Sequence, residues 1–179
     1  MKEKKRRMKP TYKMQFRRRR EFKTNYKKRL TLLKSRKPRL VVRKSLKYIR
    51  AQIIEYDEKG DKTIASVVSS ELKKLGWNFA CDNTPAAYLT GLLIGKKAKE
   101  KKIDEVVLDA GLHTSTKGSR IYAVVKGAVD AGLKLPYDPV VLPSDERISG
   151  KHIADYNKKV ADMPAEFEKI KKKIIGDIE

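Results

Sequence analysis

The chain has 179 residues, of which 40% are hydrophobic and 37% are charged. That length suits one domain with an ordinary core and some appendages, and it is short for two full domains. Cys81 is the only cysteine, which excludes a disulfide framework and a thiolate metal cluster and fits a reducing compartment. The longest apolar run, residues 85–95, is too short to cross a bilayer, so we predict a cytoplasmic protein without a membrane role.

The formal net charge is +22, and its distribution along the chain is uneven. Residues 1–50 contain 23 lysines and arginines but only two acidic residues, Glu3 and Glu21, whereas residues 51–179 contain 21 basic and 20 acidic residues. A polycationic segment on a nearly neutral body predicts a polyanionic partner, and nucleic acid is the obvious one. The alternatives are a solvated charge run and an organellar transit peptide. Against the latter, no serine precedes Ser35.

The sequence of the N-terminal part predicts a disordered arm followed by a helix. Residues 1–14 have almost no apolar periodicity and should become ordered only on binding a partner. Four apolar residues then recur at helical spacing along one face: Phe22, Tyr26, Leu30 and Leu33. We therefore expect a helix from residue 22 to near Ser35, ending before Pro38.

A three-stranded antiparallel meander is predicted next. Three extended runs have the apolar or alternating pattern of strands: residues 39–43, 48–56 and 62–68. A turn around Gly60 joins the last two runs. Ser69 or Ser70 should cap a short helix that ends at Gly76.

Helix and strand patterns alternate in the next part of the chain. A helix should cover residues 84–102, because Thr84 suits an N-cap and Pro85 suits the first helical position. Residues 105–111 form a short apolar run that suits a strand buried on both faces. A loop at residues 113–119 then leads into another helix.

These elements define an α/β fold, in which one mixed sheet contains the three-stranded antiparallel meander and has helices packed on it. The helix after the loop should end at Gly132, and two further helices should cover residues 144–160 and 164–178. The last helix should have an apolar stripe formed by Phe167, Ile170, Ile174 and Ile178. We divide the chain into a basic arm, an α/β domain and a C-terminal helical extension: residues 1–21, 22–143 and 144–179.

The sequence contains no convincing cofactor or metal motif. Residues 91–97 resemble a phosphate-binding loop, but three residues instead of four separate the glycines, and no Ser or Thr follows the lysine. We predict that Gly91 and Gly95 instead permit close packing. With His113 and His152 far apart in sequence and a single cysteine, a zinc site would need unusual ligands. We interpret each histidine as a surface residue or an RNA contact. We therefore predict neither a metal nor a cofactor.

Asp109 is the one carboxylate in a position that suggests catalysis. It ends an apolar strand in a predicted sheet order that resembles the ribonuclease H motif, whose two-metal nucleases use several carboxylates. The predicted first strand, residues 39–43, contains no carboxylate. We therefore predict that Asp109 is a turn or capping acceptor, that the chain has no catalytic residue and that it is not an enzyme.

Hydroxyl groups and cations gather where the predicted loop opens the following helix. These candidate phosphate contacts are Thr114, Ser115, Lys117, Ser119 and Arg120. Unsatisfied N–H groups and the helix dipole favour a phosphate group at such a helix start. An ordinary capped loop is the alternative interpretation.

Several strings of residues resemble those of one protein family: residues 17–26 (RRRREFKTNY), 36–45 (RKPRLVVRKS), 85–93 (PAAYLTGLL), 126–132 (KGAVDAG) and 150–153 (GKHI). The family is that of the large-subunit ribosomal protein numbered eighteen, and the similarity is to its archaeal and eukaryotic branch. The C-terminal helices and the moderate length resemble the archaeal type. Phe22 stands where the family usually has a small residue, and Asn25 stands where it usually has Asp.

The resemblance implies a structural protein that binds 5S ribosomal RNA in the central protuberance, beside other ribosomal proteins, and has no small-molecule substrate. The basic N-terminal segment and the loop between the first strands would contact 5S ribosomal RNA, and the extreme N-terminus would reach large-subunit ribosomal RNA. A ribonuclease H-like fold without nuclease activity is also implied. A nuclease on the same fold and a DNA-compacting protein are the alternatives.

Basic and aromatic residues in these segments are the candidate RNA contacts. Guanidinium groups suit phosphates, and an aromatic ring can stack on an unpaired base. In the arm and the first helix the candidates are Arg17, Arg18, Arg19, Arg20, Lys23, Thr24, Tyr26, Lys28 and Arg29. In the loop between the first two strands they are Arg43, Lys44, Ser45, Lys47 and Tyr48. Tyr26 lies on the apolar face of its predicted helix and suits the core equally well.

Overall fold

The computed structural model describes residues 11–176, which form a sheet with helices packed on it. Residues 11–16 contain neither helix nor strand. Disorder is expected for residues 1–14, of which residues 1–10 lie outside the described range. Ile178, the last expected position of the apolar stripe on the C-terminal helix, also lies outside it. No helix within that range is long and apolar enough to cross a membrane.

The predicted meander is present and is extended by a fourth strand. Three antiparallel strands closely follow the predicted runs: β1 (Arg39–Lys44), β2 (Ile49–Glu55) and β3 (Lys62–Val68). The fourth strand, β4 (Val107–Asp109), pairs in parallel with β1, so the strand order is β3-β2-β1-β4. The prediction of an α/β fold with a mixed sheet is confirmed.

The expectation that the fourth strand is buried on both faces is wrong. Val107 and Leu108 are only half-buried, and Asp109 is the buried residue of β4. Within the described part of the chain β4 lies at the edge of the sheet, beside an isolated bridge between Glu105 and Lys134. A strand this short leaves little unpaired edge, which is one way proteins limit unwanted strand pairing.

The core lies between the sheet and two helices, α3 (Thr84–Glu100) and α4 (Arg120–Asp130). Successive side chains of a strand point to opposite faces. In β2 this alternation directs Ile49, Ala51 and Ile53 towards α3, and all three are fully buried. The hydrophobic core is therefore built on one face of the meander, and the other face remains available for polar groups.

The backbones of α3 and α4 are in direct contact where the two helices cross. A Cβ atom on Gly91 would lie 2.2 Å from the carbonyl oxygen of Val124, and one on Gly127 would lie 2.2 Å from that of Tyr88. Real Cβ atoms do not approach backbone this closely, so only glycine fits. Gly95 also faces α4 closely. The predicted role of Gly91 and Gly95 in close packing is confirmed.

The predicted start of the helix after the arm is wrong. The helix is α2 (Tyr26–Leu33), and the Asn25 side chain caps it by accepting a hydrogen bond from the Lys28 N–H at 3.1 Å. Phe22 lies outside α2, with φ 51° and 85% of its surface exposed. A separate short helix, α1 (Arg17–Arg20), comes first. The capping group, not the apolar spacing, determines where α2 begins.

Two other predicted caps are also wrong. Asn83, and not Thr84, caps α3 by accepting a hydrogen bond from a first-turn N–H at 2.9 Å. Ser69 lies inside a 3-10 helix, Ser69–Leu75, and its hydroxyl accepts a hydrogen bond from the Ile49 N–H at 3.0 Å. The side chain of Ser69 therefore joins this helix to the sheet.

The C-terminal extension is more broken than predicted. Gly150, at φ 82°, separates α5 (Asp145–Ser149) from α6 (Lys151–Tyr156) within the expected helix over residues 144–160. The next helix, α7 (Met163–Gly176), packs on α3 and α5. The predicted stripe on α7 is buried at Phe167, Ile170 and Ile174. The extension thus shares its core with the sheet domain, and the proposed domain boundaries stay a prediction.

Candidate nucleic-acid interface

A series of alternating charges lies on the face of the sheet that points away from α3. Arg39 of β1 is only 3% exposed, and its guanidinium group donates to Asp61 at 2.6 Å and to Asp109 at 3.0 Å. Asp61 also accepts a hydrogen bond from Arg29 of α2 at 2.8 Å, and Asp109 accepts one from Arg43 at 3.2 Å. This charge network joins α2, β1 and β4 to the start of β3.

Asp109 is the most heavily used acceptor of the charge network. Its carboxylate also accepts a hydrogen bond from the Gly111 N–H at 2.8 Å, which confirms its predicted role in a turn. Burial by itself would raise the pKa of Asp109. The charge and hydrogen bond of Arg43, the Gly111 N–H and the charge of Arg39 outweigh burial and hold that pKa below its ordinary value.

Three predicted RNA contacts are thereby held in place by the protein itself. Arg29 and Arg43 belong to the charge network, with 33% and 41% of their side-chain surfaces exposed. Lys28 donates from Nζ to the Gly111 carbonyl oxygen at 3.2 Å. These cations therefore keep fixed positions and still reach solvent. A cavity of about 370 Å³ between α2 and the sheet lies beside them, also lined by Lys23.

The arginines of α1 are differently placed, because no side chain of Arg17–Arg20 is buried. Arg18 donates from Nε to the Thr24 hydroxyl at 2.9 Å, and Glu21 pairs with Lys23 at 2.8 Å. Exposed pairs of this kind contribute little stability, so a phosphate group could compete for these cations. The structure thus places these predicted contacts on the surface, where an RNA backbone could reach them.

Tyr26 is not a core residue. It is half-buried at the start of α2, and its ring is tilted against Phe16 with 5.2 Å between the ring centroids. Tyr48 is 40% exposed at the start of β2. Stacking of either ring on an RNA base stays a prediction.

The turn between β1 and β2 forms a closed tip with exposed cations. The Ser45 hydroxyl donates to the Tyr48 carbonyl oxygen at 2.9 Å and accepts a hydrogen bond from the Tyr48 N–H at 3.0 Å. Ser45 therefore shapes the turn. Lys44 and Lys47 are exposed on either side of Leu46, which is 94% exposed. The turn holds its two lysines on a defined backbone.

The loop before α4 lies next to this hairpin tip. Lys44 of the hairpin lines a cleft together with Thr116 and Ser119 of the loop. Burial, and then the charges of Lys44 and Arg43, lower the pKa of His113 in the same loop. Thr114 and Lys117 are exposed. The predicted contacts of the hairpin and of the loop therefore belong to one continuous surface.

Some of the predicted contacts in this loop already form hydrogen bonds within the protein. Ser115 and Tyr122 share a short hydrogen bond through their hydroxyl groups. Arg120 donates to the Asp82 carbonyl oxygen at 2.6 Å and to the Asp82 carboxylate at 3.0 Å. Ser119 is the N-cap residue of α4 but makes no side-chain capping bond. The loop therefore lacks a side-chain cap at Ser119, and the side chains of Ser115 and Arg120 are already hydrogen-bonded within the protein.

Two further basic residues, Arg147 and His152, lie across a cleft from this loop. They belong to α5 and α6, within the predicted C-terminal helical extension. His152 is one of the two histidines interpreted as a surface residue or an RNA contact, and it lies in the string 150–153 that resembles the family. Arg147 was not predicted as a contact, because a single arginine in a short helix does not indicate a binding site. Their position beside Lys44 depends on the folding of distant segments.

No group of three or more His, Cys, Asp or Glu side chains that could hold a metal ion occurs within residues 11–176. Cys81 is buried, and burial raises the pKa of its thiol. His113 lies on the basic surface and His152 in the C-terminal extension.

A mixed α/β body with exposed cations on α1, on the hairpin and on the neighbouring loop defines a protein of the polyanion-binding class. The sequence model of the family described as ribosomal large subunit proteins 60S L5 and 50S L18 matches residues 10–106 and 96–138. These matches cover most of the chain, which therefore belongs to this family. It is a protein of the large ribosomal subunit, with ribosomal RNA and ribosomal proteins as partners. The resemblance to the family is confirmed, and the archaeal type stays a prediction.

Proposed function

We propose that this protein binds 5S ribosomal RNA and helps to attach it to large-subunit ribosomal RNA in the central protuberance. The observation that carries the proposal is the position of the family match. Residues 10–138 include every predicted RNA contact, from Arg17 to Arg120. The segment shared with the family therefore contains all of the cations that the sequence predicts as RNA contacts.

Two kinds of cation support a division of roles in RNA binding. The arginines of α1 are fully on the surface and suit attraction of any phosphate backbone. Arg29 and Arg43 are fixed by carboxylates, and Lys44 lies on a closed turn. Fixed cations match only one arrangement of phosphates, so they suit recognition of a folded RNA by its shape.

We also propose that the protein is not an enzyme. Asp109 has the nuclease-like position, but its carboxylate accepts hydrogen bonds from Arg39, Arg43 and Gly111. Labelled RNA incubated with the protein and Mg²⁺ or Mn²⁺ should therefore stay intact. Cleavage that is lost in Asp109→Asn would overturn this part of the proposal.

Competition binding tests the proposed RNA partner. The wild-type protein should prefer 5S ribosomal RNA over an unrelated structured RNA of equal length. Lys44→Gln with Lys47→Gln should reduce this preference, because both lysines lie on a turn whose backbone is closed by hydrogen bonds. A matched control, Lys169→Gln with Lys172→Gln, removes two exposed lysines of α7 and should preserve it. A wild-type protein that binds both RNAs equally well would contradict the proposed function.

A further inference from the structure

The C-terminal extension forms one wall of a cleft that opens onto the predicted RNA surface. The cleft has a volume of about 430 Å³ and lies between the end of β1, the starts of α3 and α4, and the helices α5 and α6. Its basic lining residues are Lys44, Arg120, Arg147 and His152. These side chains come from the end of β1, the start of α4 and the adjacent helices α5 and α6.

Most of the positive charge in this cleft is not compensated by the residues that the structure describes. Lys44, Arg147 and His152 are exposed, and their side chains form no hydrogen bond or ion pair within residues 11–176. Asp82 is the carboxylate among the described lining residues, and it is already paired with Arg120 at 3.0 Å. Two full positive charges, on Lys44 and Arg147, therefore line one open volume with no partner among residues 11–176.

Neutral hydrogen-bond donors add to these charges. The start of α4 borders the cleft, and the Ser119 Oγ there is buried with no hydrogen-bond partner among the described atoms. Thr116 and Thr84 also line the cleft. Cations, hydroxyl groups and the first N–H groups of a helix together make the chemical environment that proteins use for a phosphate group.

We propose that this cleft binds a backbone phosphate of the ribosomal RNA, so that Arg147 and His152 of the C-terminal extension are RNA contacts. The inference rests on the proposed function, since the cleft is continuous with the hairpin through Lys44 and with the loop through residues 116–120. An RNA backbone that follows the hairpin and the loop would pass the mouth of the cleft. That continuity favours RNA over an acidic segment of a neighbouring protein.

Variants in the cleft test the proposal. Arg147→Gln with His152→Gln should weaken binding of 5S ribosomal RNA by about tenfold and reduce the salt dependence by about one phosphate contact. Lys169→Gln with Lys172→Gln is the control, because it removes two full charges from exposed positions outside the cleft lining. A larger effect of the cleft variant therefore cannot come from overall charge. Both variants should keep the wild-type melting temperature, since all four side chains are exposed.

Hydroxyl-radical footprinting of the same complexes locates the contact. The cleft variant should lose protection at one discrete stretch of backbone and keep the rest of the footprint. Equal weakening by both variants with unchanged footprints would overturn the inference. So would a cleft variant that binds RNA normally but no longer binds an acidic peptide probe, since the ligand would then be a protein carboxylate. A wild-type protein without preference for 5S ribosomal RNA would instead contradict the proposed function.

Discussion

Arg39 is a buried cation whose charge is balanced by residues from distant parts of the chain. Its guanidinium group lies between Asp61 and Asp109, and its Nε is buried with no hydrogen-bond partner among residues 11–176. The two carboxylates therefore provide the compensation for the buried charge. Removing either one would leave that charge partly unpaired in the interior, which is more costly than never burying it.

We expect Asp109→Ala to lower the free energy of unfolding by about 3 kcal/mol, because Arg39 loses a buried partner. Urea denaturation followed by circular dichroism measures this change. Glu58→Ala is the control, since Glu58 is exposed and forms no hydrogen bond or ion pair within the described range. Equal unfolding free energies of the two variants would show that Asp61 alone compensates Arg39.

The low pKa of Asp109 also predicts how stability depends on pH. Its pKa in the folded protein lies below the ordinary value of 3.8. The stability contributed by its charge is therefore complete above pH 3.8 and is lost as the pH falls through the folded-state pKa. The stability advantage of the wild type over Asp109→Asn should be constant near neutral pH and shrink below pH 3.8. Urea unfolding across that range should show this; a constant difference would contradict it.

At the scale of elements, the tight crossing of α3 and α4 limits which residues can occupy the contact between the two helices. The reciprocal approach of Gly91 and Gly127 to the opposite backbone leaves no room for a methyl group. Backbone atoms cannot move aside as a flexible side chain can. Any side chain at these glycines must therefore push the two helices apart and open the core between them.

Gly91→Ala should lower the free energy of unfolding by about 2 kcal/mol or more, because its Cβ would meet the Val124 carbonyl oxygen. Gly176→Ala makes the same chemical change in α7, where a Cβ would meet nothing within 4 Å. That control should leave stability unchanged or raise it by up to about 1 kcal/mol, since alanine favours a helix. Thermal melting of both variants measures the difference. Similar melting temperatures would contradict the close crossing.

The elements that were predicted well are those that depend on local patterns. The strands β1, β2 and β3 follow from alternation and β-branched residues, which a short window of sequence contains. Helix starts were predicted less well, because Asn83 and Thr84 are both good caps and only the folded backbone selects one. The charge network and the cleft could not be predicted, since Arg39, Asp61 and Asp109 meet only after the sheet has formed.

At the scale of the whole molecule, charge is separated from the core. The core cluster lies on the α3 face of the sheet, whereas the exposed cations among the predicted RNA contacts lie on α1, on α2, on the hairpin and on the neighbouring loop. Residues 1–20 alone hold 11 of the 44 lysines and arginines. The arm and the body can therefore be changed independently, and RNA affinity can be separated from stability.

Deleting residues 1–20 should reduce the salt dependence of RNA binding and leave the fold intact, because α1 buries no side chain. If about six to ten phosphates are bound, the affinity of the full chain should fall by about 10³ to 10⁵ between about 50 and 200 mM salt. The RNA affinity of the truncated protein should fall much less over the same range of salt concentrations. Binding measured at several salt concentrations gives both slopes. Equal slopes would place the main electrostatic contact on the body.

The parallel pairing of β1 with β4 has a consequence for the order of synthesis. Leu108, the partner of Leu40, is added 68 residues later. At about 5 to 20 residues per second, roughly 3 to 14 seconds separate the two strands. During that interval the nascent chain has an open sheet edge, and Arg39 lacks Asp109 as a partner. The polycationic N-terminal segment is therefore made well before β4 can complete the sheet. A newly made chain is most exposed to non-native contacts, with RNA or with other strands, during that interval.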